Sequence, residues 1–317
     1  MEKVLLGSTG EKVSVFCLGC MNFGTKINEV DSFALLDKYV ERGGDFLDTS
    51  NNYAFWNEGG KGGESEAVIG KWMQQRKNRK QLFLATKIGA LPKTIGAGFE
   101  DIEGLSRNAI IRAVEASLQR LHTDYLDLCY AHIDDKMTSL KETLEAFSYL
   151  IRTKKIRFIG CSNYTYERLK EANEISQSFD LERYCCIQNR YSYLQPKKEA
   201  DFGVQKVLTQ EIIDYAERES ITLLAYSPLL HGFYNDKKEL KEAYVTEANR
   251  NRMSILLEIS EELKIEPNQL VLAWMLKKSS KVLPLIGVSN LLQLENNLDA
   301  LTISIDNEQM NRLSFLK

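Results

Sequence analysis

The chain has no uninterrupted apolar run near the roughly 18–20 residues that would cross a bilayer. No apolar segment follows Met1-Glu2-Lys3-Val4, so no secretory leader is expected. Neither charge sign is in excess: 41 Lys and Arg face 44 Asp and Glu, a net charge of −3. That balance leaves no footprint for nucleic acid or for an anionic membrane. Only five prolines occur in 317 residues, with no low-complexity tract, which argues against disorder. Histidine is scarce. His122, His132 and His231 are not spaced as metal ligands, and a metal-dependent barrel hydrolase would need several His and carboxylate ligands at strand ends. The six cysteines comprise a CxxC (Cys17, Cys20), an adjacent pair (Cys185, Cys186) and the isolated Cys129 and Cys161. Without a second CxxC or a His pair they read as buried or loop thiols, and no metal is expected. With 44% hydrophobic and 27% charged residues, the composition is that of a soluble globular protein, expected in the cytoplasm.

Short apolar runs alternate with amphipathic stretches along nearly the whole length. A β-type opening (Lys3–Leu6, a turn at Ser8-Thr9-Gly10, then Lys12–Phe16) precedes Phe16–Leu18. The 3.6-residue period predicts a helix over Val30–Arg42, stopped by Gly43-Gly44. Further strands are expected at Phe46–Asp48, Leu82–Thr86, Leu126–Tyr130, Ile156–Ile159, Cys185–Gln188, Thr222–Ala225 and Val282–Ile286. The helices between them are expected at Glu64–Gln75, Ser106–Leu121, Leu140–Thr153, Tyr166–Ser176, Leu208–Glu219, Arg252–Leu263, Pro267–Lys277 and Leu291–Leu301, with a last one near Asn307–Leu316. Eight strands, each followed by a helix and with no linker between halves, predict an α/β fold, a closed (β/α)8 TIM barrel, as one domain over residues 1–317. No GxGxxG follows a strand, and Gly59–Gly63 lacks P-loop spacing.

In such a barrel chemistry collects at the C-terminal strand ends. Asp48, Lys87 and His132 leave three consecutive strands there, and Tyr53 follows Asp48 by five residues. Taken singly, each has a bland reading: an Asp capping a turn, a Lys snorkelling to solvent, a packed His, a loop Tyr. Together they are costly to bury unless they share a task. A phenol titrates near 10, and an ammonium within ~4–6 Å lowers that value. Asp48 would keep Lys87 charged, Tyr53 would act as proton donor, and His132 would hold a substrate carbonyl oxygen. Nothing here supplies a hydride, so a cofactor must.

The set Asp48, Tyr53, Lys87 and His132 resembles the catalytic tetrad of the aldo-keto reductases. So do Leu18-Gly19-Cys20-Met21-Asn22-Phe23-Gly24, Gly63-Glu64-Ser65-Glu66, Ile159-Gly160-Cys161-Ser162-Asn163 and Ala225-Tyr226-Ser227-Pro228-Leu229. The resemblance runs to about Leu301. It implies that the N-terminal β-hairpin closes the barrel floor. It also implies a nicotinamide cofactor whose carboxamide is held by Ser162, Asn163 and Gln188 and whose ring stacks on Tyr226. Ser227 and Leu229 would follow the pyrophosphate, with Gly19 and Met21 beside the nucleotide. Gly287, Ser289, Asn290, Gln293 and Asn297 would receive the adenosine end. Many NADPH-using relatives carry Lys or Arg at the positions of Asn290 or Gln293, whereas both are neutral here. NADP(H) is the first choice and NAD(H) the alternative.

Three long connections, Ala54–Gly63, Gly89–Leu105 and Ser227–Arg250, would stand over the cleft. Trp56, Phe55 and Tyr191 are the expected substrate-pocket residues. The expected activity is NAD(P)H-dependent reduction of an aldehyde or ketone, a sugar among the candidates. The alternative is a nucleotide-sensing regulatory subunit resembling potassium-channel β subunits, with little turnover.

Overall fold

The fold follows from strands too apolar to face water on either side. In the computed structural model, which describes residues 1–235, 240–279 and 281–314, all six residues of Phe83–Ile88 and of Leu126–Ala131 are buried. Strands buried on both faces pair in parallel and are covered by helices. The chain opens with a hairpin, β1 (Lys3–Leu5) and β2 (Lys12–Ser14). The barrel strands are β3 (Cys17–Gly19), β4 (Phe46–Asp48), β5 (Phe83–Ile88), β6 (Leu126–Ala131) and β7 (Ile156–Ser162), then β8 (Cys186–Arg190), β9 (Thr222–Tyr226) and β10 (Val282–Gly287). They close in the order β10-β3-β4-β5-β6-β7-β8-β9, every pair parallel. The expected eight-stranded barrel is therefore present.

The covering helices are α1 (Glu29–Glu41), α2 (Glu64–Arg76), α3 (Arg107–Leu121), α4 (Leu140–Arg152), α5 (Tyr166–Ser178) and α6 (Gln210–Glu219). They continue with α7 (Glu247–Leu263), α8 (Pro267–Lys278), α9 (Leu291–Asp299) and α10 (Asn307–Ser314). In α4, Ser139 Oγ accepts from Glu142 N–H at 3.2 Å, and Leu140, Thr143, Leu144, Phe147 and Leu150 form the buried stripe. Each large apolar side chain so buried contributes roughly 1.5–3 kcal/mol. Helix α7 begins at Glu247, five residues before the sequence reading placed it, because Thr246 caps it by accepting from Asn249 N–H at 3.1 Å. The polar start Glu247-Ala248-Asn249-Arg250-Asn251-Arg252 hides the helical period. Leu316 of the expected last helix, and residues 236–239 of the third long connection, lie outside the described residues.

The hairpin closes the N-terminal end of the barrel. Leu6 and Val13 pack on the interior residues Phe46, Phe83, Leu128 and Leu283. Gly7 N–H donates to Thr222 Oγ1 at 2.7 Å, and Ser14 N–H donates to Asp45 Oδ1 at 2.9 Å. The hairpin fills the floor, and at the other end of the barrel the strand registers pair Gly19 with Asp48, Lys87 with Tyr130, Ser162 with Gln188 and Arg190 with Tyr226. No described helix is long and apolar enough to cross a membrane.

Candidate active site

Four of the expected residues meet at that end. Lys87, fully buried at the end of β5, donates to Tyr53 Oη at 2.6 Å, to Thr49 O at 3.0 Å and to Asp48 Oδ1. Those three acceptors use all three of its protons. Tyr53 lies on the turn after β4 and makes only a long contact, 3.4 Å, with Asp48 Oδ1. His132 directly follows β6; its N–H donates to Ile88 O at 3.0 Å and its ring stands 6.1 Å from that of Tyr53, edge to face.

The electrostatics depart from expectation in one respect. Tyr53 is pushed well above the ordinary phenol value, by burial first and then by the Asp48 carboxylate. The sequence reading expected the lysine to lower it. With the hydroxyl buried and the Asp48 negative charge beside it, the phenol stays protonated. Burial also raises Asp48, against the opposing pull of Lys87. Burial and the nearby Lys87 ammonium hold His132 well below the usual imidazole range, so its ring is neutral.

Sequence reasoning did not anticipate how the carboxylate joins the neighbouring strands. Gln188 Nε2 donates to Asp48 Oδ2 at 2.8 Å. Its other N–H and Oε1 have no partner among the described residues, a donor and an acceptor that match a carboxamide. Ser162 Oγ donates to Gln188 O at 2.7 Å and keeps a lone pair. Asn163 is different. Its Nδ2 donates to His132 O at 3.0 Å and to Ser162 Oγ at 3.1 Å, while Oδ1 accepts from Tyr226 Oη at 2.8 Å and from Lys206 N–H at 3.2 Å. That side chain is saturated by protein partners, so a carboxamide would have to displace one. Tyr226 is thereby fixed through its hydroxyl, and its ring stacks on no other aromatic among the described residues. A nicotinamide fits this donor set through Gln188, Ser162 and the Tyr226 face.

Beyond Tyr226 the chain folds over in left-handed conformations at Ser227 (φ 54°), Leu230 (φ 47°) and His231 (φ 62°). Ser192 Oγ pins this strap by donating to Pro228 O at 2.5 Å. Leu229 lies in the strap, packed against the core. Met21 is exposed just past β3, and a side chain at Gly19 would strike Leu285 Cδ2 at 2.4 Å. At the expected adenosine end Gly287 is exposed and Asn297 is buried on α9. Asn290 Oδ1 caps α9 by accepting from Gln293 N–H at 2.9 Å, and Gln293 Oε1 accepts from Ser289 N–H at 2.8 Å. The helix N-terminus is therefore closed by neutral side chains.

Of the expected substrate residues, Trp56 and Phe55 stand over the site. The Trp56 ring lies 6.5 Å from Tyr53 and is 47% exposed, and Phe55 lies 5.1 Å from Trp56. Phe99, from the loop after β5, completes this wall at 5.3 Å from Phe55; an isolated aromatic in a long loop gave no signal of it. Tyr191 must be corrected. It is only 4% exposed, stacks on Trp274 of α8 and accepts from Lys278 Nζ at 2.9 Å. It lies three residues after the inward-facing Gln188, and side chains alternate along a strand, so it faces the helices instead of the cleft. Glu103 and Ser50 were also missed. Glu103 accepts from Asn51 Nδ2 at 2.7 Å and Gly89 N–H at 2.6 Å, tying the loop after β5 to the Tyr53 turn. The Gly63-Glu64-Ser65-Glu66 segment braces the barrel: Ser65 Oγ donates to Cys20 O at 2.7 Å, and Glu66 accepts from Thr86 Oγ1 at 2.5 Å. All six cysteines are buried and free.

The likeness to known proteins extends along nearly the whole chain. The oxidoreductase YrpG of Bacillus subtilis is 31% identical over 99% of this chain and 95% of its own length. The norsolorinic acid reductase stcV of Emericella nidulans is 31% identical over 98% of this chain and 79% of its own length. A crystal structure of the thermostable aldo-keto reductase Tm1743, in complex with the inhibitor epalrestat, superposes with a TM-score of 0.76 at 27% identity, covering 99% of this chain and 98% of that one. The sequence model of the Aldo/keto reductase family matches residues 15–316, from the edge of the first barrel strand to the last helix. With the barrel, the buried Asp–Lys–Tyr group and the sequence match all in agreement, this chain belongs to the aldo/keto reductase family of oxidoreductases.

Proposed function

We propose that the protein reduces an aldehyde or ketone, a sugar among the candidates, to its alcohol, with a nicotinamide dinucleotide as reductant. One contact carries the reading: the Lys87 ammonium lies 2.6 Å from Tyr53 Oη beside a buried carboxylate. The reduced nicotinamide, when bound, supplies a hydride to the carbonyl carbon. Tyr53 is the general acid and gives its phenolic proton to the carbonyl oxygen as charge develops there. Burial keeps that proton on the phenol at neutral pH, and Lys87 stabilises the phenolate left behind. Asp48 holds Lys87 in place beside the phenol. His132 orients the substrate oxygen.

Gln188 and Ser162 hold the carboxamide, with Asn163 bracing Tyr226 beneath the ring. Gly19, Met21, Ser227 and Leu229 follow the middle of the cofactor, and Gly287, Ser289, Asn290, Gln293 and Asn297 its adenosine end. NADP(H) is the first choice; the neutral cap of α9 is the observation that favours NAD(H) as the second. Phe55, Trp56 and Phe99 form an apolar wall for the body of the substrate. Residues 1–317 act as one barrel domain in the cytoplasm.

The test is Tyr53→Phe, with NADPH and NADH binding followed by fluorescence quenching and turnover followed on a panel of sugars and aryl aldehydes. Binding should be retained while turnover falls at least ~100-fold, the usual scale for a lost general acid. Near-normal turnover would remove Tyr53 from this role. Tight nucleotide binding by the unaltered protein, without turnover of any carbonyl, would favour a nucleotide-sensing role instead.

A further inference from the structure

Ser50 lies buried on the turn after β4, and its hydroxyl meets four groups: Asn52 Oδ1 at 2.8 Å, Lys87 O at 3.2 Å, His132 Nδ1 at 3.0 Å and, more distantly, the Asn52 N–H, which donates to it at 3.5 Å. A hydroxyl brings one proton and two lone pairs. Lys87 O is an acceptor and already receives Asn51 N–H at 3.0 Å. The Asn52 amide is oriented from its far end, where Nδ2 donates to Ala90 O at 3.1 Å. Turned around, it would set two oxygens against each other there. Asn52 Oδ1 therefore faces Ser50 as an acceptor, and Ser50 is its donor.

Were the Ser50 proton aimed at His132 instead, two oxygen lone pairs would meet at 2.8 Å inside the protein. With the proton on the Asn52 side, the contact to His132 must take its proton from the imidazole. The ring is neutral, because burial and the Lys87 ammonium both oppose a second proton. A proton on Nδ1 then leaves Nε2 bare. Nε2 has no hydrogen-bond partner among the described residues, and the half-buried ring stands edge to face with the Tyr53 ring at 6.1 Å.

We propose that Ser50 is a positioning residue: oriented by Asn52, it fixes His132 as the Nδ1–H tautomer, so that the resting imidazole offers the cleft an acceptor. The consequence for ligands rests on the carbonyl-reductase reading, whereas the tautomer does not. An acceptor receives an O–H, as from the alcohol or from a hydroxyl beside the carbonyl. An isolated carbonyl oxygen meets a lone pair until His132 exchanges its tautomer and Ser50 turns its proton to Nδ1.

Two-bond 1H–15N correlation spectra of protein labelled with 15N-histidine report the tautomer directly, and His132→Gln identifies the His132 signals among the three histidines. The unaltered protein should show the Nδ1–H pattern near neutral pH. Ser50→Ala removes the acceptor and should shift His132 to Nε2–H, and Ser50→Thr, which keeps a hydroxyl, should restore Nδ1–H. An Nε2–H pattern in the unaltered protein overturns the proposal, as does an unchanged pattern in Ser50→Ala. If that variant does not fold, the unaltered spectrum decides. Retained turnover in Tyr53→Phe would overturn the reaction and leave this measurement standing.

Discussion

Gln188 Nε2 donates to Asp48 Oδ2 at 2.8 Å, so the strand expected to carry the carboxamide and the strand carrying the buried carboxylate share one hydrogen-bond network. Lys87 holds the other carboxylate oxygen. Both oxygens of a fully buried charge are thus occupied, and the Tyr53 hydroxyl, which accepts from Lys87 at 2.6 Å, keeps only a long contact of 3.4 Å with that carboxylate.

Gln188→Leu keeps most of the volume and removes the donor to Asp48. A hydrogen bond to a charged group contributes about 1.5–3 kcal/mol, and urea unfolding should show a loss of that size. Cofactor affinity, followed by fluorescence quenching, should fall in parallel, because the same amide is proposed to hold the carboxamide. A stability loss without an affinity loss would confine Gln188 to bracing Asp48.

The pH dependence of the reduction follows from the direction of the Tyr53 shift. A general acid works below its pKa, and burial with Asp48 pushes this phenol upward. kcat/KM should therefore stay level across neutral pH and fall only above about 10, the ordinary phenol value. His132 is held neutral and contributes no limb near pH 6 to 7, where an ordinary imidazole would titrate (about 6.5). A descending limb near neutrality would mean that the Lys87 ammonium outweighs burial once the cofactor is bound.

On the proposed reading, cofactor choice turns on the cap of α9. Asn290 spends its side-chain oxygen on the N–H of Gln293 in the helix and Gln293 its own on the N–H of Ser289 just before the cap, and neither brings a positive charge. The ratio of NADPH to NADH affinity should accordingly lie within about tenfold of unity, less than one charge-assisted bond supplies. Gln293→Arg should raise that ratio by about tenfold or more, measured by parallel titrations. No change would place the 2′-phosphate away from this helix.

Much of this was legible in the chain because the barrel strands are unbroken apolar runs, and their order fixes which polar residues reach one end. Asp48, Lys87 and His132 are found by asking where each run stops. Tyr191 misled because an aromatic just past a strand looks the same whether it faces the cleft or the helices; only the residue count from Gln188 separates the two. Ser50 and Glu103 were invisible for another reason. A serine or a loop glutamate gains its role from a partner distant in sequence, His132 for one and Asn51 for the other, and no local period marks that pairing. The start of α7 was missed because its exposed first turns carry no apolar stripe.

The brace behind the site makes a separate prediction about stability. Glu66 is fully buried, and its carboxylate is held by Arg120 Nε at 2.7 Å and by Thr86 Oγ1 at 2.5 Å, which joins α2, α3 and β5. Gly63 is needed beside it, since its φ is 90° and a side chain there would meet Arg120 Cδ at 2.6 Å. Arg120→Ala strands a buried charge, which costs about 3–5 kcal/mol; with Arg120 partly exposed, water can enter the vacated space and the lower end applies. Glu66→Gln keeps both contacts and should cost much less, and adding it to Arg120→Ala should recover part of the loss. Urea unfolding of the three variants measures this. If Arg120→Ala alone costs under about 1 kcal/mol, the size of an exposed pair, the buried carboxylate does not need its arginine.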